Sequence, residues 1–319
     1  MKNKTELLAL IRDHSSFLLT AHIFPDGDNV GSLMALRAGL LKLGKKVQVV
    51  IDDAVPAVYE FLDGHESVLR PESVTSDYEV VVVLDTSSLD RIGAVQRLLK
   101  PEILLVNIDH HVSNTGFGTL QYIDEHAAAT AEIVFQLLVD LQVSFDSSMA
   151  TAIFTGIATD CGFFKYANTS PQTLYIAAEM VSQGAKPHEI SDAVEMRTLP
   201  ALKLLSRVLD SIKLSADGKI AWLTIDPNLL TSLGAGQEDT EGFINYARYI
   251  QGVEVALLFR EIPSRGIKVS MRSRQNFDVS KVALLFGGGG HMRAAGCSFD
   301  THIEDAIQQV LKAVREQLK

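Results

Sequence analysis

Aspartate and histidine side chains stand directly after a buried-strand pattern in this chain, and such side chains bind metal ions and phosphates. Residues 103–108 are apolar except for one Asn, and Asp109, His110 and His111 follow them. A continuously apolar run of this length is typical of a strand in a parallel sheet, whose carboxyl end is where ligands bind. Burying three such groups together is costly unless a metal ion or a substrate pairs them. The triplet therefore indicates a metal or substrate site at the end of a strand.

The same residue types follow three other apolar segments. They are His22, Asp26 and Asp28 after residues 16–21, Asp85 after residues 79–84, and Asp160 after a predicted helix at 149–158. Each Asp alone has a simpler interpretation as a helix cap or a turn former, but one cap does not explain all three residues of the first group. Carboxylate and imidazole ligands without a cysteine suit Mn²⁺ or a similar ion. Two ions that share a carboxylate would use six of these side chains and would promote attack of water on a phosphoryl group. The six are His22, Asp26, Asp28, Asp85, His110 and Asp160, with Asp109 and His111 adjacent to them.

Alternating strands and helices must position these ligands. Further strands are predicted at 46–51 and 118–123, and short connections between strands and helices favour a doubly wound, mainly parallel sheet over residues 1–190. A helical linker at 191–212 is expected to lead into a smaller α+β domain at 213–319.

Three local predictions concern the surroundings of the ligands. A helix is predicted over residues 33–43, and Thr130 is predicted to cap the helix that follows it. Asp52 and Asp53 come after a strand and are interpreted as a solvated strand end.

The predicted second domain carries its own binding signal. Arg272 and Arg274 end a predicted strand, and four successive glycines, Gly287 to Gly290, precede His291. Glycines in series cost chain entropy, but they let the backbone approach a ligand and present successive N–H groups to an anion. A flexible linker is the alternative, and the apolar helix predicted before the glycines argues against it. We therefore expect a substrate-binding set made of Arg272, Arg274, Gly288, Gly289, Gly290 and His291.

Composition narrows the classes of function. The net charge of −10 argues against duplex nucleic acid as a partner, since such proteins carry basic surface. No apolar run reaches the length of a membrane span, and the first residues lack the pattern of a secretory signal. Two cysteines, Cys161 and Cys297, do not make a disulfide framework. We expect a cytoplasmic protein with a small anionic substrate, and a homodimer is compatible with the sequence.

Taken together, these motifs resemble the DHH phosphoesterase family with its DHH-associated C-terminal domain. The resemblance rests on five motifs in the same order, which span essentially the whole chain. They are His22-x-x-x-Asp26-x-Asp28, Asp85, Asp109-His110-His111, Asp160 and Gly287–His291. The two-domain length is most similar to the type that acts as an oligoribonuclease and pAp phosphatase. Cys161, beside Asp160, stands where many members of the family have Thr, and a thiol there could make the site sensitive to oxidation.

The resemblance implies a role for each matching residue. It implies one Mn²⁺ bound by His22, Asp26 and Asp85, and a second bound by Asp28, Asp85, His110 and Asp160, with Asp85 bridging; Mg²⁺ or Co²⁺ could substitute. It further implies that Asp109 orients a neighbouring imidazole, that His111 and His291 contact the scissile phosphate, and that Arg272 and, less securely, Arg274 bind substrate. The active site would then lie in the cleft between the two domains.

The implied reaction is hydrolysis of short 5′-phosphorylated oligoribonucleotides, such as pApA and pGpG, to mononucleotides, and of pAp to AMP. A phosphodiesterase for cyclic dinucleotides would use the same motifs. An inorganic pyrophosphatase is disfavoured by the glycine–histidine motif, and an inactive nucleotide-binding regulator by the complete set of ligands.

Overall fold

The computed structural model describes residues 3–74, 77–274 and 277–318 and divides the chain into two compact units. The first unit is Met1–Met196 and the second is Arg197–Lys319. The division falls inside the segment 191–212 that the sequence predicts as a linker. Among the described residues, none of the helices combines the length and the apolar character needed to cross a membrane.

A six-stranded parallel sheet forms the centre of the first unit. Its strands are Ser16–Thr20 (β1), Lys46–Val50 (β2), Val68–Leu69 (β3), Val80–Leu84 (β4), Leu104–Asp109 (β5) and Leu120–Ile123 (β6). The spatial order is β3-β2-β1-β4-β5-β6, and all neighbouring pairs are parallel. This confirms the predicted doubly wound fold. The order reverses between β1 and β4, and in such sheets ligands bind outside the strand ends at that point.

Helices of the first unit cover one face of this sheet. They are Lys4–Asp13 (α1), Gly27–Lys42 (α2), Thr130–Asp140 (α3), Ser147–Asp160 (α4), Pro171–Ser182 (α5) and Pro187–Glu195 (α6). Alternate strand residues point to opposite faces, so Leu19 and Val82 join the core under the helices. Val81 and Val83 instead pack against the 3-10 segment Leu89–Leu98 on the other face.

Helix α2 begins at Gly27, earlier than the predicted start at residue 33. The side chain of Asp26 caps the helix by accepting a hydrogen bond from the backbone N–H of Asn29 at 3.0 Å. Asp28 therefore lies in the first turn of a helix. The helix packs closely on α4, because a Cβ atom at Gly31 would lie 2.4 Å from the carbonyl oxygen of Ala152. This close contact holds the start of α2 against the helix that carries Asp160.

The second unit has a mixed six-stranded sheet. Its strands are Lys213–Leu214 (β7), Ile220–Ile225 (β8), Val255–Ile262 (β9), Gly266–Ser273 (β10), Gly289–His291 (β11) and Ala294–Phe299 (β12), in the order β11-β12-β10-β9-β8-β7. Only β8 and β9 pair in parallel among these described strands. Its helices are Leu199–Asp210 (α7), Pro227–Leu233 (α8), Ile244–Arg248 (α9), Val279–Leu284 (α10) and Ile303–Gln317 (α11). The predicted α+β architecture is confirmed.

The glycine run differs locally from the predicted loop. Gly289 and Gly290 form β11 with His291 and pair with β12. A Cβ atom at Gly288 would lie 2.1 Å from the carbonyl oxygen of Gly296, so the backbones approach too closely for a side chain. Gly290 has φ 135°, in the region that favours glycine. Close strand packing thus accounts for Gly288 and for Gly290.

Candidate metal centre

The first unit gathers the predicted metal ligands at the strand ends around the topological switch. Ligand atoms lie within 4.8 Å of one another in each of three groups. The groups are His22, Asp26 and Asp85; Asp28, His110 and Asp160; and Asp85, Asp109 and His111. They come from the segment after β1, the start of α2, the ends of β4 and β5, and the last residue of α4. The structure therefore brings together side chains that are far apart in sequence.

Asp85 lies between two imidazoles. Its Oδ2 is 3.4 Å from His22 Nε2, and its Oδ1 is 3.5 Å from His110 Nε2. Burial alone would raise the pKa of Asp85, but the two histidines outweigh burial and hold it well below its usual value. Asp85 also has φ 49°, an unfavourable conformation for a residue with a side chain. Asp85 thus has an ionised carboxylate on a strained backbone, and its two oxygens face His22 and His110.

Backbone carbonyls fix the orientation of both imidazoles. Nδ1 of His22 lies 2.7 Å from the carbonyl oxygen of Ile23, and Nδ1 of His110 lies 3.2 Å from that of Ala127. A carbonyl oxygen only accepts, so Nδ1 donates in each ring, and Nε2 of the neutral ring carries the lone pair. Histidines that bind metals are held in this way.

Asp28 connects two helices. Its carboxylate accepts hydrogen bonds from the backbone N–H groups of Thr130 at 2.6 Å and Ala131 at 2.9 Å, and from Ser32 Oγ at 3.1 Å. The prediction that Thr130 caps α3 is therefore wrong, since Asp28 fills that role and Thr130 Oγ1 donates to Asp85 instead. Carboxylates at a helix N-terminus are favoured by the helix dipole. This contact positions Asp28 beside His110, whose Nε2 is 3.8 Å away.

Asp26 combines the capping role and the predicted ligand role. One carboxylate oxygen caps α2, and the other lies 3.9 Å from His22 Nε2. Its side chain is 49% exposed, whereas that of Asp28 is buried. The two interpretations of this residue are compatible, because the two oxygens serve different partners.

Two asparagines that the sequence analysis left without a role support the triplet. Asp109 Oδ1 is 2.7 Å from His111 Nδ1, and Asp109 Oδ2 accepts a hydrogen bond from Asn114 Nδ2 at 2.6 Å. Asn114 Nδ2 also lies 2.8 Å from Oδ1 of the buried Asn107. Nδ2 of Asn107 in turn donates to the carbonyl oxygens of Val83 and Thr86. Burial would raise the pKa of Asp109, but the hydrogen bond with His111 outweighs it and lowers the pKa. Asn107 is the only polar residue of the apolar run 103–108, and a polar residue in such a run indicates a side chain that needs buried hydrogen-bond partners.

Asp52 and Asp53 are not a solvated strand end, contrary to the prediction. Asp53 Oδ2 accepts a hydrogen bond from the backbone N–H of Phe24 at 2.7 Å, and Asp52 Oδ2 accepts one from that of Ala94 at 2.9 Å. They tie down the segments that follow β1 and β4. Their partners are distant in sequence, so no local pattern could indicate them.

Burial raises the pKa of both Asp160 and Cys161. Burial raises the pKa of Asp160 to about 6, and the Coulomb attraction of His110, with Nε2 3.6 Å from the carboxylate, offsets this only in part. Burial also raises the pKa of the Cys161 thiol to about 11. A buried thiol with a raised pKa is unreactive, so the structure argues against the oxidation sensitivity that the sequence suggested.

The remaining predicted residues belong to the second unit. Arg272 lies on β10, where its guanidinium donates to the carbonyl oxygen of Met271 at 3.1 Å. Arg274 follows that strand, its backbone N–H bonded to Glu254 at 2.8 Å, and His291 ends β11. Their contact with substrate, like the inter-domain cleft, stays a prediction.

The donor set of the first unit fits divalent metal ions. Imidazole nitrogens with a lone pair and carboxylate oxygens lie 3.4–3.9 Å apart, too far for strong direct hydrogen bonds. Nitrogen and oxygen donors without thiolate suit Mn²⁺ and related ions. The arrangement can therefore hold divalent metal ions.

Comparison with known proteins gives consistent matches along the chain. A model of the DHH family, N-terminal domain, matches residues 16–157, and a model of the DHHA1 domain matches residues 219–319. The bifunctional oligoribonuclease and PAP phosphatase of Thermus thermophilus is 35% identical over 301 residues, which cover 94% of this chain and 89% of that protein. The Bacillus subtilis protein of the same name is 25% identical and covers 92% of this chain, with 93% of its own length matched.

A solved structure shares the fold of the chain. The crystal structure of an exopolyphosphatase-related protein from Bacteroides fragilis matches with a TM-score of 0.89 at 24% identity. The match covers 99% of this chain and 96% of the other.

Proposed function

This chain belongs to the DHH family of phosphoesterases, and we propose that it hydrolyses short 5′-phosphorylated oligoribonucleotides, such as pApA and pGpG, to mononucleotides and pAp to AMP. The relatives named for oligoribonuclease and PAP phosphatase activity match along nearly their whole length, which supports the same substrates here. We also propose that this activity takes place in the cytoplasm. The net charge of −10 favours short substrates over duplex nucleic acid.

Two metal ions are part of this proposal, with Mn²⁺ as the natural choice for the donor set. One ion is assigned to His22, Asp26 and Asp85, and the other to Asp28, Asp85, His110 and Asp160. The observation that carries this assignment is that the two carboxylate oxygens of Asp85 face different histidines. When bound by these residues, the ions would supply positive charge for the phosphoryl oxygens and would acidify a water for attack on phosphorus.

The protein's own residues orient the substrate around that centre. His111 is assigned to the scissile phosphate on the family resemblance, and Asp109 Oδ1, 2.7 Å from its Nδ1, orients the ring. Asp109 acts through His111 and is a positioning residue. We assign His291, Arg272 and Arg274 to substrate phosphates on the family resemblance, and the backbone of glycines 288–290 to the same substrate.

An assay with three substrates tests the proposal. Purified protein is given pApA, pAp and cyclic di-AMP with Mn²⁺, and the products are identified by chromatography. We expect rapid formation of AMP from the first two and slow opening of the cyclic compound. Preferential cleavage of cyclic di-AMP would assign the chain to cyclic-dinucleotide turnover instead.

The metal assignment is tested with a variant of the shared carboxylate. Asp85→Asn keeps the size of the side chain and removes its charge, so Mn²⁺-dependent turnover should fall at least a thousandfold, to background. Metal analysis should give about two Mn²⁺ per wild-type chain, as a two-metal site requires. Near-wild-type turnover by the variant would refute the assignment, and bound metal without turnover of any substrate would favour a binding role.

A further inference from the structure

Thr130 contacts two of the carboxylates that are assigned as metal ligands. It is the first residue of α3 and is fully buried. Its backbone N–H donates to Asp28 Oδ2 at 2.6 Å, and its hydroxyl donates to Asp85 Oδ1 at 3.2 Å. The first contact caps the helix, as described above. The second contact does nothing for the helix, so the hydroxyl has another role.

The place of Thr130 in its helix leaves the hydroxyl available for that role. A threonine inside a helix commonly donates its hydroxyl to a carbonyl oxygen of the preceding turn. Thr155 does so on α4, where its Oγ1 lies 2.8 Å from the carbonyl oxygen of Thr151. Thr130 has no preceding turn in its own helix, and Asp28 already accepts from the first N–H groups of that helix. The hydroxyl is therefore free of helical duties and donates to Asp85.

The two oxygens that Thr130 holds are the same two that face His110. Nε2 of His110 lies 3.8 Å from Asp28 Oδ2 and 3.5 Å from Asp85 Oδ1. The other oxygen of Asp85, Oδ2, faces His22 at 3.4 Å. Ionised carboxylates that share a buried site repel each other, and hydrogen bonds from one residue to both of them offset part of that repulsion. Thr130 thus acts on the His110 side of the cluster and leaves the His22 side untouched.

We propose that Thr130 is a positioning residue for one of the two metal ions. That ion, which we call the second ion, is the one assigned to Asp28, Asp85, His110 and Asp160. The inference rests on the proposed function, because it needs the two-metal centre. A carboxylate oxygen has two lone pairs, so Asp85 Oδ1 can accept from Thr130 and still bind metal. The ion assigned to the His22 side faces the other oxygen of Asp85 and should depend little on Thr130.

Substitutions of Thr130 separate the hydroxyl from the rest of the residue. Thr130→Val keeps the shape of the side chain and the backbone N–H but removes the hydroxyl, whereas Thr130→Ser keeps the hydroxyl. Thr130→Ala also lacks the hydroxyl and places no methyl group against Asp85. The matched control is Thr155→Val, because Thr155 is equally buried and its hydroxyl bonds within its own helix. Mn²⁺ binding is measured without substrate, by calorimetry and by electron paramagnetic resonance.

The expected result is a loss confined to one of two binding steps. In Thr130→Val and Thr130→Ala, one Mn²⁺ should bind as in the wild type and the other about 10–100-fold more weakly, the usual cost of removing a partner behind a ligand. Between the two dissociation constants, the resonance spectrum should show one isolated Mn²⁺ per chain instead of a coupled pair. Thr130→Ser and Thr155→Val should bind both ions normally. Turnover by Thr130→Val should largely recover at high Mn²⁺.

The outcomes distinguish this inference from the proposed function. Unchanged binding of both ions in Thr130→Val and Thr130→Ala, or an equal weakening of both ions, would overturn the positioning role and leave the proposed function intact. An equal loss in Thr130→Ser would do the same. A selective loss in a protein whose wild type cleaves no nucleotide would retain the positioning role and refute the proposed function. A wild type that binds fewer than two ions would overturn the two-metal centre and this inference with it.

Discussion

The side chain of Asp109 is held on both oxygens, by His111 on one side and Asn114 on the other. A carboxylate anchored in this way can fix which nitrogen of the imidazole carries the proton. The hydrogen bonds continue through Asn107 to the strand before it, so the orientation of His111 is linked to the packing of β4 and β5. The precise placement of one ring thus depends on residues that touch neither metal nor substrate.

Asn114→Leu tests this chain of contacts. The substitution keeps a side chain branched at Cγ and removes the amide donor, so Asp109 loses one partner and His111 loses part of its support. Loss of such an outer partner typically costs 10–100-fold in activity, and we expect a fall in kcat of about that size with little change in metal content. Steady-state kinetics and metal analysis measure both. Asn228→Leu, at an exposed position in the second unit, is the control, and equal kcat in the two variants would contradict the positioning role.

The raised pKa of Asp160 predicts that metal affinity depends on pH. Burial raises the pKa of Asp160 to about 6, and burial and the charge of Asp85 raise the pKa of Asp28. Neighbouring carboxylates also outweigh burial and raise the pKa of His22 and of His110. Metal must displace the protons that these groups carry. Apparent affinity for Mn²⁺ should therefore increase as pH rises through about 6 and continue to increase above it, by about tenfold per unit for each proton released. Calorimetric titration in buffers of different ionisation enthalpy counts the protons, and a pH-independent affinity would contradict this account.

At the scale of helices and strands, the sequence predicts elements that have a local pattern but not contacts between residues far apart in the chain. The apolar runs that became β1, β4 and β5 were readable because a strand buried on both faces has a simple composition. The start of α2 was misplaced because Asp26 and Asp28 serve two purposes, and only their contacts distinguish a cap from a ligand. The backbone partners of Asp28 are 102 and 103 residues away, and no periodicity in the chain encodes such a pairing.

The glycine run allows a test at the same scale with a matched control. A Cβ atom at Gly288 would collide with the backbone of Gly296, whereas at Gly289 it would meet nothing within 4 Å. Gly288→Ala should therefore destabilise the second unit by about 1–3 kcal/mol, the usual cost of overpacking. Gly289→Ala should change stability by less than about 0.5 kcal/mol. Urea unfolding of both variants measures the difference, and equal effects would show that the close approach of the backbones is not what requires Gly288.

At the scale of the whole molecule, the metal centre concentrates charge inside the first unit. Buried or half-buried carboxylates meet three imidazoles there. Burial raises the pKa of Asp28, and neighbouring carboxylates outweigh burial and raise the pKa of His110, so protonation of both groups is favoured without metal. The second unit has its own hydrophobic cores. Because all six residues assigned as metal ligands belong to the first unit, metal binding should be linked to the folding of that unit.

This linkage predicts a metal-dependent melting temperature. Each divalent ion that binds only the folded state, present at a hundred times its Kd, adds about 2.7 kcal/mol of stability. For a unit of this size, each such ion corresponds to a rise of about 5–11 °C in the melting temperature of the first unit. Asp85→Asn should abolish most of the rise because both ions lose a shared ligand, while Asp217→Asn, at an unrelated site in the second unit, should retain it. Calorimetry with Mn²⁺ and with chelator measures the shift, and an equal rise in Asp85→Asn would mean that the stabilising ions bind elsewhere.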